Sequence, residues 1–553
     1  MANRLHYLAL AGAIALGAIL RFWHLDSKFL WLDEVITAIF SLGRNYSDVP
    51  LDTIFPLERL EQIFTFQSAS CSQIAQNLAN QSTHPPLFFC LMHSWFEWIN
   101  PVAPNWVWTL RALSAVFGTI AIAAIYLLNT KAFSPTAGLM AATMMAVSPF
   151  GVYLSQEARH YTLPVLAITL SLLGLVQIQQ DLFVRRRSRF GVWLFWAIVN
   201  SIGLYIHYFF ILALVSEVIT LLALMYWYRH NLPRHSVLAF CLSILTTLVI
   251  FLPWLPTMIT HLTRPETSWI PAPHNVAPIY QTMASWLLMI IALPVENQPL
   301  YIAILSSLLL LIFGGWVMWH SYQGIYKLWQ LPATRLSIFT LASFIGIVLL
   351  EFFSIVYVLH KDITIVPRYN FVYYPGFLAL LAAGLISRYQ QSKFFVFNIP
   401  IRQKFYYLLF ITSLLSCILV VFNFVFQKPY NPEQVATNIN QEPTIPLMVI
   451  VGYKDYQDVA LGLSFALALE KVRGSGRGEF AFLERSPQGY NSVWQLAQLL
   501  PVAVSPLNLW VVAPDLRRRE YPPNLQIGQT SCNIDLQKHY RLGVPYQLYR
   551  CRK

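Results

Sequence analysis

The chain has 553 residues, of which 56% are hydrophobic and only 11% carry a charge, whereas about 25% of residues in a typical soluble protein are charged. So few charges cannot cover the surface of several soluble domains. With a mean hydropathy of +0.52, the composition predicts a polytopic membrane protein and excludes a soluble enzyme over the first three quarters of the chain. The net charge of +12 is spread over short loops, which favours a bias set by membrane insertion and argues against a nucleic-acid partner.

Membrane spans are predicted where about 20 mainly apolar residues follow one another. The stretches that meet this condition are 5–23, 108–128, 137–154, 162–180, 190–206, 208–228, 235–256, 300–319, 336–358, 370–389 and 404–427. Two shorter apolar stretches, 86–100 and 281–293, are bordered by proline and are predicted as interfacial or re-entrant helices. The sequence therefore predicts a mainly α-helical bundle of about 11–13 spans.

Orientation in the membrane is predicted from the basic residues in short loops. The strongest cytoplasmic signal is the run Arg185, Arg186, Arg187 and Arg189. Counting spans outward from this run places the N-terminus in the cytoplasm and the residues after the last span outside. The other segments predicted to lie outside are 24–107, 155–161, 257–299 and 359–369. The predicted location is the plasma (inner) membrane.

Residues 428–553 differ in composition from the membrane body 1–427, because 24 of these 126 residues are charged. This proportion is near the soluble average and predicts an outward-facing soluble domain. Runs 446–451 and 507–512 are strand-like, and 456–472 has helical spacing between them. The tail is therefore predicted to be a small α/β domain.

Cysteine is rare, with six residues in the chain. Cys90, Cys241 and Cys417 lie in apolar segments and are predicted to be packing residues. Cys532 and Cys551 lie in the predicted outward tail, where a disulfide is chemically permitted. No cysteine spacing resembles a zinc site.

The long loop after the first span carries the leading candidates for acid–base chemistry, Asp33 and Glu34, next to Trp31. Trp31 is expected to hold this segment at the membrane interface, where a partly desolvated carboxylate can have its basicity tuned for proton abstraction. The alternative is a pair of acids placed in the first turn of a helix, where the helix dipole favours them. Spacing alone leaves both interpretations open.

Other polar residues gather at the predicted outer lips of the spans. His84 precedes two prolines at the end of the long loop, Arg159 and Tyr161 lie in the short polar loop 155–161, and Arg368 follows Pro367 before a later span. Arginine is a fork donor suited to phosphate oxygens. Two outward arginines with an acidic loop suggest a site for an anionic, lipid-attached substrate. A salt bridge or headgroup contact for Arg159, and a backbone contact for His84, remain alternatives.

Two carboxylates, Glu217 and Glu351, fall inside predicted spans. Such residues are candidates for proton-coupled transport, but no lysine or arginine lies beside them in mid-span, which favours interhelical hydrogen bonding. The chain also has no Asp-x-Asp triplet and no Walker-type phosphate loop, so energy input from a soluble nucleotide is not expected.

The ordered series of motifs over residues 5–390 resembles the GT-C membrane glycosyltransferases, and within them the protein O-mannosyltransferase and aminoarabinose transferase group (glycosyltransferase family 39-like). The residues that carry this resemblance are Arg21, Leu30–Glu34, His84–Leu87, Arg111–Ser114, Ser148 with Pro149, Gln156–Tyr161, and Pro367–Tyr369 with Pro375. No motif of the family covers the tail. The Trp-Trp-Asp motif of oligosaccharyltransferases is absent, which disfavours transfer of a whole oligosaccharide to asparagine.

The resemblance implies an enzyme that moves a sugar from a polyprenyl-phosphate carrier to a hydroxyl group on a lipid, glycan or protein of the cell envelope. Asp33 is then the general base, with Glu34 supporting it. The donor phosphate is assigned to four residues, Arg159, Arg368, Tyr161 and His84. Several relatives have an acidic residue or lysine where this chain has His84, so a divalent metal remains open, and no ligand set for one is identified.

A polytopic transporter or lipid-linked sugar flippase is the main alternative from another class. It predicts paired charges in mid-membrane and inverted repeats, and the sequence shows neither. A non-catalytic scaffold leaves the ordered pattern of acids and arginines unexplained. The sequence therefore favours an inverting glycosyltransferase.

Overall fold

The computed structural model describes residues 2–100, 106–264, 266, 269–389, 395–396, 399–474, 478–501 and 506–552. The chain forms two compact units. The membrane unit comprises Met1–Leu25, Thr83–Phe88 and Trp108–Gln427, and the loop–tail unit comprises Asp26–Ser82, Phe89–Val107 and Lys428–Lys553. The predicted boundary at residue 427 is one of the boundaries between these units. Most of the long loop, however, clusters with the tail rather than with the membrane body.

The helices within the described residues are α1 (Ala2–Phe22), α2 (Leu32–Ser41), α3 (Arg59–Ile63), α4 (Cys71–Gln81), α5 (Leu87–Ile99), α6 (Trp106–Ala132), α7 (Pro135–Ala146), α8 (Pro149–Ser155), α9 (Thr162–Gln179), α10 (Phe190–Leu204), α11 (Phe210–Trp227), α12 (Ser236–Phe251), α13 (Leu255–Leu262), α14 (Ala277–Leu288), α15 (Leu300–Gln330), α16 (Pro332–Val358), α17 (Tyr374–Tyr389), α18 (Ile401–Val421), α19 (Pro432–Ile439), α20 (Tyr456–Arg473) and α21 (Asn491–Leu499). The strands are β1 (Ile54–Pro56), β2 (Phe395–Val396), β3 (Ile399–Pro400), β4 (Leu447–Tyr453), β5 (Gly478–Glu484), β6 (Leu507–Val512), β7 (Asn524–Ile527), β8 (Thr530–Leu542) and β9 (Val544–Arg552).

Eight helical segments of the described residues are long and apolar enough to cross a membrane, or nine if one bent helix pair is a single span. The chain is therefore a multi-pass integral membrane protein. Its span count is lower than the predicted 11–13. Two predicted spans, 190–206 and 370–389, correspond to helices of 15 and 16 residues. At about 1.5 Å per residue these helices are shorter than the roughly 30 Å hydrocarbon core.

The third difference is at predicted span 137–154, which is two helices, α7 and α8, bent by 58°. Pro149 has no N–H to donate to the carbonyl of Met145, so the helical hydrogen-bond ladder breaks there. The Arg21 guanidinium donates instead, to Met145 O at 2.8 Å and to Ala146 O at 3.1 Å. The bend is therefore stabilised by a buried arginine of α1.

The two shorter apolar stretches form helices of 13 and 12 residues, α5 and α14. These lengths are too short for a crossing, as the sequence predicted.

The intramembrane carboxylates form hydrogen bonds between helices. Glu217 of α11 accepts from Trp196 Nε1 at 2.6 Å and from the hydroxyl of Ser171. Glu351 of α16 accepts from Ser216 Oγ at 3.2 Å. These contacts support the structural interpretation of both residues.

The loop–tail unit is built on a seven-stranded sheet with the order β1-β5-β4-β6-β9-β8-β7. Strands β5, β4 and β6 are parallel, and the remaining pairs are antiparallel. Because β4, α20 and β6 coincide with the predicted strands and helix, the α/β prediction for the tail is confirmed. The central strands β4 and β6 are buried at every position, as expected for strands covered on both faces.

Strand β1 comes from the long loop and pairs with β5 of the tail, with Phe55 opposite Phe480. An open sheet does not extend through the hydrocarbon region, so the loop and the tail lie on the same side of the membrane. The chain must then cross an even number of times between residues 107 and 428. Within the described residues, the seven long helices after α1 together with the bent pair meet this condition.

Two disulfides stabilise the loop–tail unit. Cys532 is bonded to Cys551 on neighbouring strands, and Cys71 is bonded to Cys90. The prediction that Cys90 is a packing residue was therefore wrong, because α5 brings it to the N-terminus of α4. Cys417 is buried as predicted, whereas Cys241 is exposed on α12 and does not pack inside the protein.

An ion pair links the segment before β4 to the sheet and gives a testable pH dependence. Arg550 Nη2 donates to Glu442 Oε1 at 2.8 Å, and Asn508 Nδ2 donates to Glu442 Oε2 at 2.8 Å. The Arg550 hydrogen bonds lower the pKa of Glu442 to about 2. Because the pKa of Glu442 is lower in the folded state, its ion pair stabilises the fold fully when the pH is above the ordinary glutamate pKa near 4.5. This stabilisation is lost as the pH falls towards 2.

We expect Glu442→Gln to lower the melting temperature at pH 7 and to have a shrinking effect as the pH falls from 4.5 to 2. The pair is partly exposed, so its contribution is at most about 1 kcal/mol. Thermal unfolding of the full chain at several pH values measures this effect, with Glu433→Gln as an exposed control in the same unit. An effect that stays constant from pH 7 to pH 2 would contradict the assignment.

Candidate functional site

The polar loop between α8 and α9 is held in place by hydrogen bonds to neighbouring backbone. Gln156 Nε2 donates to Leu20 O at 3.2 Å and to Trp23 O at 2.9 Å. Ser114 Oγ of α6 donates to Arg159 O at 2.9 Å. The loop is therefore fixed to the end of α1 and to α6, and the position of the Arg159 backbone is set before any ligand binds.

The membrane unit brings together the four residues predicted to bind a phosphate. The guanidinium carbons of Arg159 and Arg368 each lie 5.8 Å from the ring centroid of Tyr161. Arg368 Nε donates to the Tyr161 hydroxyl at 3.0 Å. Arg159 Nη2 donates to His84 Nε2 at 2.8 Å, since arginine has no acceptor. Two cations thus lie close to one phenol ring, and a histidine lies beside Arg159.

Two further histidines, His160 and His207, belong to this cluster and were missed as site residues in the sequence. The His160 ring centroid lies 5.3 Å from that of His84 and 4.7 Å from that of His207. His160 is completely buried, and neither of its ring nitrogens has a hydrogen-bond partner within the described residues. The available signal for His207 was a polar residue at the break between two predicted spans.

All three histidines are held in the neutral form. Burial, followed by neighbouring cationic groups, lowers the pKa of His84 and of His160 well below the ordinary value of 6.5. Burial and then the charges of Arg159 and Arg368 lower the pKa of His207 to about 3. The positive charge of the cluster at neutral pH therefore comes from its two arginines.

Hydrogen bonds define which nitrogen carries the proton in two of these neutral rings. His207 Nδ1 accepts from the N–H of Phe209 at 2.9 Å, so the proton of His207 is on Nε2. His84 accepts on Nε2 from Arg159, so its proton is on Nδ1. Both neutral rings therefore keep one N–H as a donor, and the cluster is rich in hydrogen-bond donors, as an anion site requires.

Asp33 and Glu34 lie in the other unit, in the first turn of α2. Their relative exposures are 9% and 1%, so both carboxylates are buried. The position in the first turn fits the helix-dipole interpretation. Burial also removes both carboxylates from water, which is the condition that the general-base interpretation requires.

Several residues of the predicted motif series hold backbone carbonyls. Arg21 donates to the end of α7, as described above, and Arg111 Nη1 donates to Leu25 O at 2.8 Å. Both arginines are 1% exposed. These side chains therefore stabilise the backbone at the end of α7 and just after α1.

Within the described ranges, no group of three or more histidine, cysteine, aspartate or glutamate side chains could hold a metal ion.

Comparison with known proteins shows which folds the chain resembles. Its fold is similar to that of ArnT from Cupriavidus metallidurans bound to undecaprenyl phosphate, with 13% identity, a TM-score of 0.52, and coverage of 100% of this chain and 98% of that one. ArnT in the apo state matches with 11% identity and a TM-score of 0.50 over 93% of each chain. The Archaeoglobus fulgidus oligosaccharyltransferase in complex with Zn and sulfate matches with 12% identity and a TM-score of 0.50, over 92% of this chain and 68% of that one.

A family model matches part of the chain. Residues 83–256 match the model of the dolichyl-phosphate-mannose-protein mannosyltransferases, a range that includes His84, Arg159, Tyr161 and His207. No curated protein matches the chain. The fold class predicted from the sequence is confirmed, because the chain has the fold of ArnT, and the match of residues 83–256 agrees with the predicted enzyme class, a membrane glycosyltransferase.

Proposed function

We propose that the protein transfers a sugar from a polyprenyl-phosphate donor to a hydroxyl acceptor. The observation that carries this proposal is that the guanidinium carbons of Arg159 and Arg368 both lie 5.8 Å from the centroid of the Tyr161 ring, and that Arg159 and Tyr161 belong to the range that matches the mannosyltransferase model. Undecaprenyl phosphate is the ligand of the ArnT structure that this fold resembles. A lipid phosphate is an anion of the size and charge that such a donor-rich cluster binds.

The two arginines have a chemical role in the proposed reaction. When the bond between the sugar and the phosphate oxygen breaks, the phosphodiester with one negative charge becomes a monoester with two. Arg159 and Arg368 stabilise this developing charge. Electrostatic stabilisation of the transition state is the largest single contribution to the rate enhancement of many enzymes. The neutral histidines donate hydrogen bonds without adding a titratable charge.

Asp33 is proposed to be the general base, with Glu34 in support. The base takes the proton of the acceptor hydroxyl. The oxygen of that hydroxyl attacks the anomeric carbon, and the lipid phosphate leaves. Because the proposed mechanism has one base and no nucleophile of the enzyme, a single displacement inverts the anomeric centre. The activated phosphate ester supplies the energy of transfer, so no nucleotide is consumed at the site.

We also propose that the loop–tail unit and the donor site face the periplasmic or extracellular side of the plasma (inner) membrane, with a cytoplasmic N-terminus. The basic run at 185–189 supports this direction. Asp181 accepts from Arg185 and Arg189 at 2.9 and 2.6 Å, and the basic run still carries a net positive charge.

The function is tested with the purified protein in liposomes, a polyprenyl-phosphate donor carrying a radiolabelled sugar, and an envelope fraction from cells that lack the gene. We expect label to appear in a glycolipid, glycan or protein fraction, and the labelled fraction identifies the acceptor class. Label that crosses the bilayer while still attached to the polyprenyl phosphate would instead support a flippase.

His207 gives a test of the donor site that is independent of the arginines. We expect His207→Phe to raise the donor KM about 10- to 100-fold, because a hydrogen bond to a charged group contributes about 1.5–3 kcal/mol. His207→Gln keeps a neutral N–H donor and should stay close to wild type. Since the pKa of His207 is about 3, its ring stays neutral from pH 5 to 8 and adds no titration to the donor KM.

Steady-state kinetics with varied donor at pH 5 and pH 8 measure the donor KM of each variant and its dependence on pH. His320→Phe, a half-buried histidine on α15, is the control. An unchanged donor KM in His207→Phe would remove His207 from the site.

A further inference from the structure

The N-terminus of α2, which carries Asp33 and Glu34, is held by a tyrosine of the tail. The backbone N–H of Leu32, the first residue of α2, donates to the Tyr430 hydroxyl at 2.6 Å. Tyr430 is 9% exposed. This N–H is one of the helix-end donors that have no partner within the helix, and Trp31 at the N-cap forms no side-chain cap. The Tyr430 hydroxyl therefore serves as the cap of this helix.

The two carboxylates lie within electrostatic range of this hydroxyl. Burial is the main reason why the pKa of Tyr430 is raised, and the negative charges of Asp33 and Glu34 add to the shift. The phenol thus stays protonated and keeps its donor and acceptor roles.

Other tail residues hold the same turn. Lys428 Nζ lies 4.1 Å from the ring centroid of Trp31, and Lys471 Nζ lies 4.9 Å from that of Phe29. The Tyr430 ring packs edge-on against Phe465 at 5.5 Å. The two cation–π contacts therefore fix the chain just before Asp33, and the aromatic contact fixes the ring of Tyr430.

The far end of α2 is also held within the loop–tail unit. His93 of α5 accepts on Nε2 from the N–H of Ala69 at 3.2 Å, so its Nδ1–H donates to Ser41 O, the last residue of α2, at 3.0 Å. With both ends bonded and residues 33–41 buried, α2 is a rigid support for its carboxylates.

We propose that Tyr430 is a positioning residue that fixes Asp33 for proton abstraction, and that this is a function of the tail. The inference rests on the proposed function, in which Asp33 is the base. Displacement of a reacting group by about 1 Å can cost about 100-fold in rate, so a cap at the residue next to the base affects kcat. The donor phosphate is bound by other residues, so the donor KM is unaffected.

The test is Tyr430→Phe in the full-length protein, with Tyr549→Phe as the matched control. Tyr549 is a fully buried tyrosine of the same unit whose hydroxyl donates to Pro522 O at 2.9 Å. We expect Tyr430→Phe to lower kcat about 10- to 100-fold with a donor KM within about twofold of wild type, and Tyr549→Phe to leave both constants unchanged. Similar melting temperatures for the two variants separate positioning from stability.

Wild-type kcat in Tyr430→Phe, or equal losses in Tyr430→Phe and Tyr549→Phe, would overturn the positioning role and leave the tail a stabilising one.

Asp33→Asn in the same assay separates this inference from the proposed function. An inactive Asp33→Asn together with a fully active Tyr430→Phe overturns the positioning role alone. A fully active Asp33→Asn overturns the proposed base, and the role of Tyr430 with it.

Discussion

Asp33→Asn is expected to lower kcat for sugar transfer about 10²- to 10⁴-fold, the range that a positioned general base typically contributes. The amide has nearly the shape of the carboxylate but cannot accept the proton of the acceptor hydroxyl. Asp33 lies on a helix that is buried along its whole length after Leu32, so we expect the variant to fold and insert as wild type does. The donor KM should change little, since the lipid phosphate is assigned to the arginine cluster.

Asp26→Asn is the matched control for this variant. Asp26 is an exposed carboxylate a few residues before α2, and its loss should leave kcat unchanged. The kcat of Glu34→Gln is expected to lie between those of Asp33→Asn and Asp26→Asn, because Glu34 is assigned a supporting role. Wild-type kcat in Asp33→Asn would remove the base from the mechanism.

Arg159→Ala is expected to raise the donor KM about 10- to 100-fold and to leave the acceptor KM unchanged. A hydrogen bond to a charged group contributes about 1.5–3 kcal/mol, and Arg159 is 2% exposed, so solvent screens this interaction little. Arg159→Lys keeps the charge but loses the planar fork, and we expect an intermediate donor KM.

Initial rates at varied donor and fixed acceptor concentration give the donor KM, and initial rates at varied acceptor and fixed donor concentration give the acceptor KM. Arg229→Ala is the control, since Arg229 is an exposed arginine of the membrane unit that lies 4.7 Å from the Tyr226 ring. A rise in the acceptor KM with an unchanged donor KM would contradict the assignment of Arg159 to the phosphate.

The cluster of Arg159, Tyr161 and Arg368 could be picked out in the sequence because its members lie in short polar loops between apolar spans, where a charge is costly to place. Arg159, Tyr161 and Arg368 stand out against apolar neighbours, and the structure brings them together. His207 was missed because a single histidine at a break between spans has no local pattern. Its place in the cluster depends on how α10 and α11 pack against other helices, which a linear pattern does not encode.

The predicted span count exceeds the eight or nine of the described residues because the helices at 190–206 and 370–389 are shorter than a crossing, and an apolar stretch does not reveal where its helix ends. A bend inside an apolar stretch is equally invisible to hydropathy. The break at Pro149 divides an apolar stretch into two helices, and buried Arg21 stabilises the break from another part of the chain. The association of the long loop with the tail was also not predicted from the sequence. It depends on the pairing of β1 with β5, whose residues are far apart in sequence.

The measurement that tests the central claim most directly is the stoichiometry of transfer in liposomes that contain the purified protein. With a labelled polyprenyl-phosphate sugar and an acceptor, we expect one polyprenyl phosphate to be released for each sugar joined to an acceptor, and neither product with Asp33→Asn. Movement of intact donor across the bilayer without release of polyprenyl phosphate, at equal rates in the wild type and in Asp33→Asn, would contradict a glycosyltransferase mechanism.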